Sequence, residues 1–180
     1  MKNILITGWP GIGKTTTIKK ITDNLRGRNV TFDGFYTDEI RNEANERIGF
    51  SVHMLNSGQT GILAKKVDNS YGIGTHMVGK YMVCVQDFEE MVMPMLTNFN
   101  KDILIIDEIG KMELLSKRFE EAIFQSFKDR KYPIIATVTQ RPSSILNRWK
   151  NDDNHYLFTV NQHNRNTIYE DILNHIDLHH

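Results

Sequence analysis

The sequence predicts an α/β fold in which a mostly parallel sheet is flanked by helices and carries an inserted β-ribbon. Three observations support this prediction. Apolar strand segments alternate with helical patterns over most of the chain, which is the order typical of parallel sheets. Residues 103–106 are four consecutive aliphatics, as expected for a strand that is buried on both faces. A glycine-rich loop at residues 8–15 joins the first strand pattern to the first helical pattern.

The first half of the chain predicts two strands, one helix and a ribbon. Residues 14–25 should form a helix because apolar side chains recur at Ile18, Ile21 and Leu25, and the pattern ends before Gly27. The strand patterns are rich in aliphatic and aromatic residues, and the ribbon has a polar turn between its two strands. The predicted strands are 2–7 and 30–36, the ribbon joins 37–41 to 47–55 through a turn at 42–46, and further short strands are expected within 56–80.

The second half of the chain alternates strands and helices more regularly. The predicted strands are 81–85, 103–106, 134–138 and 156–160. The predicted helices are 88–99, 119–127, 142–149 and about 166–176. Pro94 should kink or break the first of these helices, because proline has no backbone N–H to donate.

Composition indicates a single domain spanning residues 1–180, with an ordinary globular balance of residues. Lysine plus arginine and aspartate plus glutamate are equal at 22 each, so a nucleic-acid partner is disfavoured, although a local basic patch would still permit one. The single cysteine, Cys84, cannot form an internal disulfide, and no apolar run reaches the length of a membrane span. We therefore expect a cytoplasmic protein that does not enter membranes, and we expect it to be a monomer.

Residues 8–15, Gly-Trp-Pro-Gly-Ile-Gly-Lys-Thr, match the P-loop motif G-x-x-x-x-G-K-[ST]. Its glycines let backbone N–H groups point inward at a helix N-terminus, which makes a concave anion site. Lys14 can then reach the β- and γ-phosphates of a nucleotide, and the Thr15 hydroxyl can ligate Mg²⁺. This chemistry does not explain the bulky indole of Trp9.

The aliphatic segment 103–106 ends in two acids, Asp107 and Glu108. An aspartate at the tip of a central strand would face the P-loop, where it can hold Mg²⁺ together with Thr15. Glu108 can then orient or activate an attacking water. Asp107 also begins a D-x-x-G sequence, like the second loop of small GTPases, that ends at Gly110. No N-K-x-D follows it, which disfavours a guanine-specific switch.

Several other polar residues are candidates; each is also compatible with an ordinary structural role, and a surface position is the simpler interpretation of each arginine. Lys111 lies three residues after Glu108 and could face the γ-phosphate. Three arginines could stabilise transition-state charge, and three polar residues could sense the γ-phosphate: Arg41, Arg47 and Arg141, and Thr137, Thr139 and Gln140. Asn164 and Arg165 precede the last helix and could contact a base, although Asn164 could instead cap the helix. The seven histidines show no zinc-binding spacing.

Six stretches, taken together and in order, resemble one known family. It is the P-loop nucleoside-triphosphatase family that was first described in thermophilic bacteria and that includes the human cancer-related nucleoside-triphosphatase. The block Asp-Glu-Ile-Gly-Lys-Met-Glu-Leu is far more specific than the P-loop. The stretches are residues 4–16, 34–41, 47–50, 85–89, 106–115 and 164–165.

The resemblance implies a RecA-like fold and Mg²⁺-dependent hydrolysis of ATP, GTP and other nucleoside triphosphates, with broad base tolerance. By position it assigns catalysis to Glu108, Lys14 and Lys111, and metal binding to Thr15 and Asp107. The predicted nucleotide-binding residues are Gly8, Trp9, Pro10, Gly11, Ile12, Gly13, Lys14, Thr15, Thr16, Asp107, Glu108, Gly110, Asn164 and Arg165.

Two alternative functions are compatible with the P-loop. A nucleotide or small-molecule kinase would pass the γ-phosphoryl group to an acceptor other than water, but no arginine-rich lid is evident in the sequence. A nucleotide-gated binding module, for RNA or another partner, would use hydrolysis only to reset a conformation. The neutral charge and the lack of a basic, aromatic stripe disfavour that module.

Overall fold

The computed structural model describes residues 2–67, 76–139 and 154–176. Within these residues, nine strands lie in one sheet and four α-helices accompany it. The strands are β1 Asn3–Thr7, β2 Phe32–Arg41, β3 Arg47–Met54, β4 Thr60–Lys66, β5 Met77–Val78, β6 Tyr81–Val83, β7 Ile103–Ile109, β8 Ile134–Val138 and β9 His155–Thr159. The helices are α1 Lys14–Arg26, α2 Val85–Thr97, α3 Lys117–Asp129 and α4 Ile168–Asn174, and a short 3-10 helix spans Glu113–Leu115.

The parallel part of the sheet has the strand order β2, β7, β8, β1, β9. Strand β8 therefore lies between β1, which leads into the P-loop, and β7, which carries Asp107 and Glu108. The carboxyl ends of parallel strands meet at one edge of a sheet, and ligands of α/β folds bind there. The two motifs predicted from the sequence thus lie at the same edge.

Beyond β2, the same sheet continues as an antiparallel extension in the order β3, β4, β6, β5. The predicted ribbon is formed by β2 and β3, and its turn is closed by Asn42 Oδ1, which accepts a hydrogen bond of 2.9 Å from Glu46 N. The extension is larger than the predicted ribbon, because β4, β5 and β6 also join it. The α/β prediction is otherwise confirmed.

Side chains from the central strands enter two separate cores, one on each face of the sheet. Ile4 and Ile6 of β1 pack in the core that α1 and α4 cover, whereas Leu5 packs in the core that α2 and α3 cover. Phe35, Phe88 and Phe119 meet edge to face in the second core, with ring centroids 5.2, 5.5 and 5.8 Å apart. Residues 103–106 are fully buried, as their aliphatic run predicts.

Helix α2 runs through Pro94 and ends at Thr97, so the predicted break does not occur. Pro94 lies in the last turn, where its missing N–H costs a single helical hydrogen bond. Its carbonyl still accepts hydrogen bonds from Asn98 N and Nδ2, at 3.2 and 3.0 Å. The predicted helix 142–149 lies outside the described residues. In the described part of the chain, each helix is too short or too polar to cross a membrane.

Candidate active site

The P-loop follows β1 and leads directly into α1. Gly8 is required there, because a Cβ atom at this position would lie 2.8 Å from the carbonyl oxygen of Val160. Gly13 adopts a left-handed conformation, with φ of 117°, and forms the N-cap of α1. The first helical hydrogen bond runs from Thr17 N to Gly13 O, at 2.9 Å. The loop therefore presents its backbone N–H groups at a helix N-terminus, which suits an anion.

Lys14 is buried at the mouth of this loop, with 8% of its surface exposed. Its Nζ donates a hydrogen bond of 3.2 Å to Gly8 O, which curls the side chain back over the loop. The same Nζ lies 3.5 Å from Glu108 Oε2 on β7. The ammonium group is thus held beside the anion site, and Glu108 reaches it from two strands away.

Asp107 is buried in β7, two residues before the strand ends, and faces Thr137 of β8, whose hydroxyl donates to Asp107 Oδ1. Burial raises the pKa of Asp107 to about 6, and the hydroxyls of Thr137 and Thr15 partly offset that rise. Asp107 Oδ2 is buried and has no hydrogen-bond partner among the described residues. A buried carboxylate oxygen without a donor suits a bound cation, and Thr15 is close enough to supply a second oxygen ligand.

The protein ligands alone would not enclose a metal. Within residues 2–67, 76–139 and 154–176, no group of three or more histidine, cysteine, aspartate or glutamate side chains is placed to hold an ion. Magnesium commonly takes one or two protein oxygens and completes its octahedron with water and substrate phosphates. Asp107 and Thr15 fit that mode of binding.

Glu113 is a buried acid that the sequence reasoning did not assign to the site. It begins the 3-10 helix after β7 and is only 5% exposed. Its Oε2 accepts a hydrogen bond of 3.1 Å from Gly110 N. Burial and then the nearby charge of Glu108 raise the pKa of Glu113 to about 8. The sequence did contain a signal for this burial. Glu113 is surrounded by Met112, Leu114 and Leu115, and apolar neighbours of this kind predict a buried position.

The raised pKa of Glu113 makes a testable prediction about stability. Because the folded protein binds this proton more tightly, Glu113 lowers the free energy of unfolding as pH rises from about 4.5 to about 8. Glu113→Gln cannot ionise and should remove that loss. Relative to wild type, the variant should gain at least about 1 kcal/mol between pH 5 and pH 8, measured by urea unfolding without divalent cations. Parallel stability curves for the two proteins would contradict the prediction.

The loop that precedes α4 lies against the P-loop. Asn164 Oδ1 accepts a hydrogen bond of 2.8 Å from Asn161 N, and its Nδ2 donates to Thr159 O at 2.9 Å. Both ends of the Asn164 amide thus bond to backbone groups near the start of the loop. The N-cap of α4 is Thr167, so Asn164 does not cap this helix. The Arg165 side chain is exposed, and its Cβ lies 3.9 Å from the position that a Cβ on Gly13 would occupy.

A cleft of about 570 Å³ separates the two loops, and we refer to it as the Trp9 cleft. Trp9 is 69% exposed, the largest exposure among the large hydrophobic side chains of the described residues. Residues from both loops line the cleft: Trp9, Pro10, Gly11, Ile12, Asn161, Gln162, His163 and Arg165. The cleft is thus an open, partly aromatic space directly beside the P-loop.

The remaining candidates differ in how they relate to this site. Lys111 is exposed, beyond the buried Gly110. Arg41 and Arg47 both pair with Glu39 on the ribbon, with Arg47 Nη1 2.7 Å from Glu39 Oε1. Thr137 contacts Asp107 as described, and Thr139 lies half-buried just past β8. Gln140 and Arg141 lie outside the described residues.

Known proteins similar to this chain identify its family. The chain matches the NTPase family over residues 3–173. The chain belongs to the NTPase family. It is 41% identical over 172 residues to the nucleoside-triphosphatase THEP1 of Thermotoga maritima, which covers 94% of this chain and 92% of that protein. It is 35% identical over 182 residues to the cancer-related nucleoside-triphosphatase of Homo sapiens, covering 96% and 95%.

Solved structures of NTPase relatives share the fold. The crystal structure of THEP1 from the hyperthermophile Aquifex aeolicus superposes with a TM-score of 0.82 at 35% identity, covering 97% of this chain and 99% of that one. The solution structure of a human cancer-related nucleoside triphosphatase gives 0.83 at 34% identity, covering 98% of both chains. The resemblance stated from the sequence is confirmed, and this NTPase is a nucleoside-triphosphatase.

Proposed function

We propose that this NTPase requires Mg²⁺ and hydrolyses ATP, GTP and other nucleoside 5′-triphosphates to the diphosphate and phosphate with little selectivity among bases. The observation that carries the proposal is the convergence of Lys14, Asp107 and Glu108 at one edge of the sheet. Lys14 Nζ lies 3.5 Å from Glu108 Oε2, and the adjacent Asp107 directs an unpartnered buried oxygen into the same region.

In this proposal the backbone N–H groups of the P-loop bind the β- and γ-phosphates, and Lys14 neutralises charge on them. Thr15 and Asp107 would hold Mg²⁺, which when bound neutralises the charge that develops on the transferred phosphoryl group. Glu108 is half-buried and next to the phosphate site, so it can orient a water for in-line attack and accept its proton. Binding of phosphates by Lys14 would release Glu108 for that role.

We place the nucleobase in the Trp9 cleft, between the Trp9 indole and the Arg165 guanidinium. Both groups are planar and exposed, and both stack on the face of any base. The lining of the Trp9 cleft does not include Asn164, whose amide instead bonds to Asn161 N and Thr159 O. Recognition by stacking rather than by edge contacts supports broad base tolerance.

The experiment that tests this function is phosphate release from ATP, GTP, CTP and UTP, with Mg²⁺ or with EDTA. We expect kcat/KM values within about tenfold of one another, because one stacked base is worth only about 1–3 kcal/mol whatever its identity. Removal of the metal should lower the rate by at least about a hundredfold. A preference above a hundredfold for one base, or an unchanged rate in EDTA, would contradict the proposal.

The same panel tests the Trp9 cleft when it includes inorganic tripolyphosphate, which has no base. Trp9→Ala should raise KM by at least about fivefold for all four nucleotides. It should leave KM for tripolyphosphate unchanged, because the P-loop amides and Lys14 remain. An equal change for tripolyphosphate would assign Trp9 to the shape of the P-loop instead of to base binding.

A further inference from the structure

The carboxyl groups of Glu113 and Glu108 both lie close to Gly110. A Cβ added to Gly110 would come within 2.9 Å of Glu108 Oε1 and within 2.9 Å of Glu113 Oε2. Gly110 itself is buried, so a side chain at this position would have to push both carboxyl groups aside. The position of the Glu108 side chain therefore depends on where Gly110 is held.

Gly110 is held from both sides by the 3-10 helix. Its N–H donates to Glu113 Oε2 at 3.1 Å, and its carbonyl accepts from Leu114 N at 3.1 Å. On the other side, Ile109 is fully buried in the core. The backbone that follows Glu108 is thus fixed at two positions. Packing holds Ile109, and two hydrogen bonds hold Gly110, one of them from the Glu113 side chain.

The 3-10 helix is in turn fixed to α3. Ser116 N donates to Glu113 O at 3.1 Å, and Ser116 Oγ caps α3 by accepting from Phe119 N at 3.0 Å. Glu89 of α2 accepts a hydrogen bond of 2.6 Å from the same Ser116 hydroxyl. Two acids therefore support this segment, with Glu113 on the side of the P-loop and Glu89 on the side of α2.

Burial of a carboxyl group is unfavourable, and a leucine would fill a site among apolar residues at lower cost. Glu113 is 5% exposed, and its Oε2 is already engaged by Gly110 N, so its contact is with the turn after β7. We propose that Glu113 is a positioning residue that fixes the Gly110 turn and thereby aims the Glu108 carboxylate at the attacking water. This inference rests on the proposed role of Glu108.

The test compares Glu113→Leu with Glu113→Gln in phosphate release from ATP. The leucine side chain has a similar size but cannot accept from Gly110 N, so kcat should fall by about 10–100-fold with KM within about twofold of wild type. The glutamine oxygen can still accept that hydrogen bond, so Glu113→Gln should keep kcat within about threefold. Equal kcat values for wild type and Glu113→Leu would overturn the proposal.

Glu89→Leu is the matched control, because it removes an acid from the other side of the same segment. It should leave kcat close to wild type, and an equal loss in Glu89→Leu and Glu113→Leu would show a merely structural effect. If Glu113→Leu does not fold, Gly110→Ala provides a second test, since its Cβ would disturb the turn beside both carboxyl groups while both acids are retained. Gly110→Ala should also lower kcat at least about tenfold, and a wild-type kcat would overturn the proposal.

A double variant separates this inference from the proposed function. If Glu113 acts through Glu108, adding Glu113→Leu to Glu108→Gln should lower kcat by less than about twofold further. A full additional loss would mean that Glu113 acts independently of Glu108, against the inference. A Glu108→Gln variant with wild-type kcat would instead refute the proposed role of Glu108.

Discussion

Replacement of Lys14 with alanine is expected to lower kcat/KM for ATP by about a thousandfold or more, because a buried charge that faces the transferred phosphate is lost. Lys14 is 8% exposed, and its Nζ is held by Gly8 O at 3.2 Å and by Glu108 Oε2 at 3.5 Å. The ammonium group is therefore fixed at the P-loop before a nucleotide arrives. Phosphate release measures the effect on hydrolysis, and equilibrium dialysis with a non-hydrolysable ATP analogue measures binding.

Lys128→Ala is the matched control for this variant. Lys128 is an exposed lysine in the last turn of α3, which leads towards the amino-terminal end of β8 and away from the P-loop. It should leave both binding and hydrolysis unchanged. Undiminished binding of the analogue by Lys14→Ala would contradict the assignment of Lys14 to the phosphates.

The sequence was sufficient to predict the two motifs and the edge of the sheet that they share. The P-loop and the aliphatic strand that ends in Asp107 are local patterns, and parallel strands bring their carboxyl ends together without further information. The alternation of Ile4, Leu5 and Ile6 between two cores likewise follows from a strand buried on both faces. Local chemistry and simple topology determine these features.

What the sequence did not reveal depends on contacts between distant segments. The pairing of β4 with β6 and the edge-to-face cluster of Phe35, Phe88 and Phe119 join residues that are far apart in the chain. The orphaned oxygen of Asp107 depends on Thr137 occupying its partner oxygen, which requires β7 and β8 to be neighbours. No local pattern encodes such pairings.

Glu113 illustrates the same limit within the site. Its apolar sequence neighbours indicate burial, but its partner, Gly110 N, becomes evident only from the 3-10 helix. Asn164 was also a candidate cap for α4, but the N-cap is Thr167, and the Asn164 side chain bonds to Asn161 N and Thr159 O. Hydrogen-bond partners, which the sequence does not specify, separate these two roles.

Glu108→Gln is expected to lower kcat for ATP by about 10²–10⁴-fold, the range for loss of a general base. Glutamine has the same size and can still accept a hydrogen bond, but it cannot take a proton from the attacking water. KM should stay equal or fall, because Lys14 loses the carboxylate that competes with phosphate for its charge. Phosphate release at saturating ATP and binding of the non-hydrolysable analogue measure the two effects separately.

Glu46→Gln, at the exposed turn of the ribbon, is the matched control and should keep the wild-type kcat. A Glu108→Gln variant that binds the analogue but releases phosphate slowly would support Glu108 as the group that activates water. If both variants hydrolyse ATP at the wild-type rate, water activation must be assigned elsewhere, and the 3.5 Å contact between Lys14 and Glu108 would then serve only to hold the P-loop lysine in place.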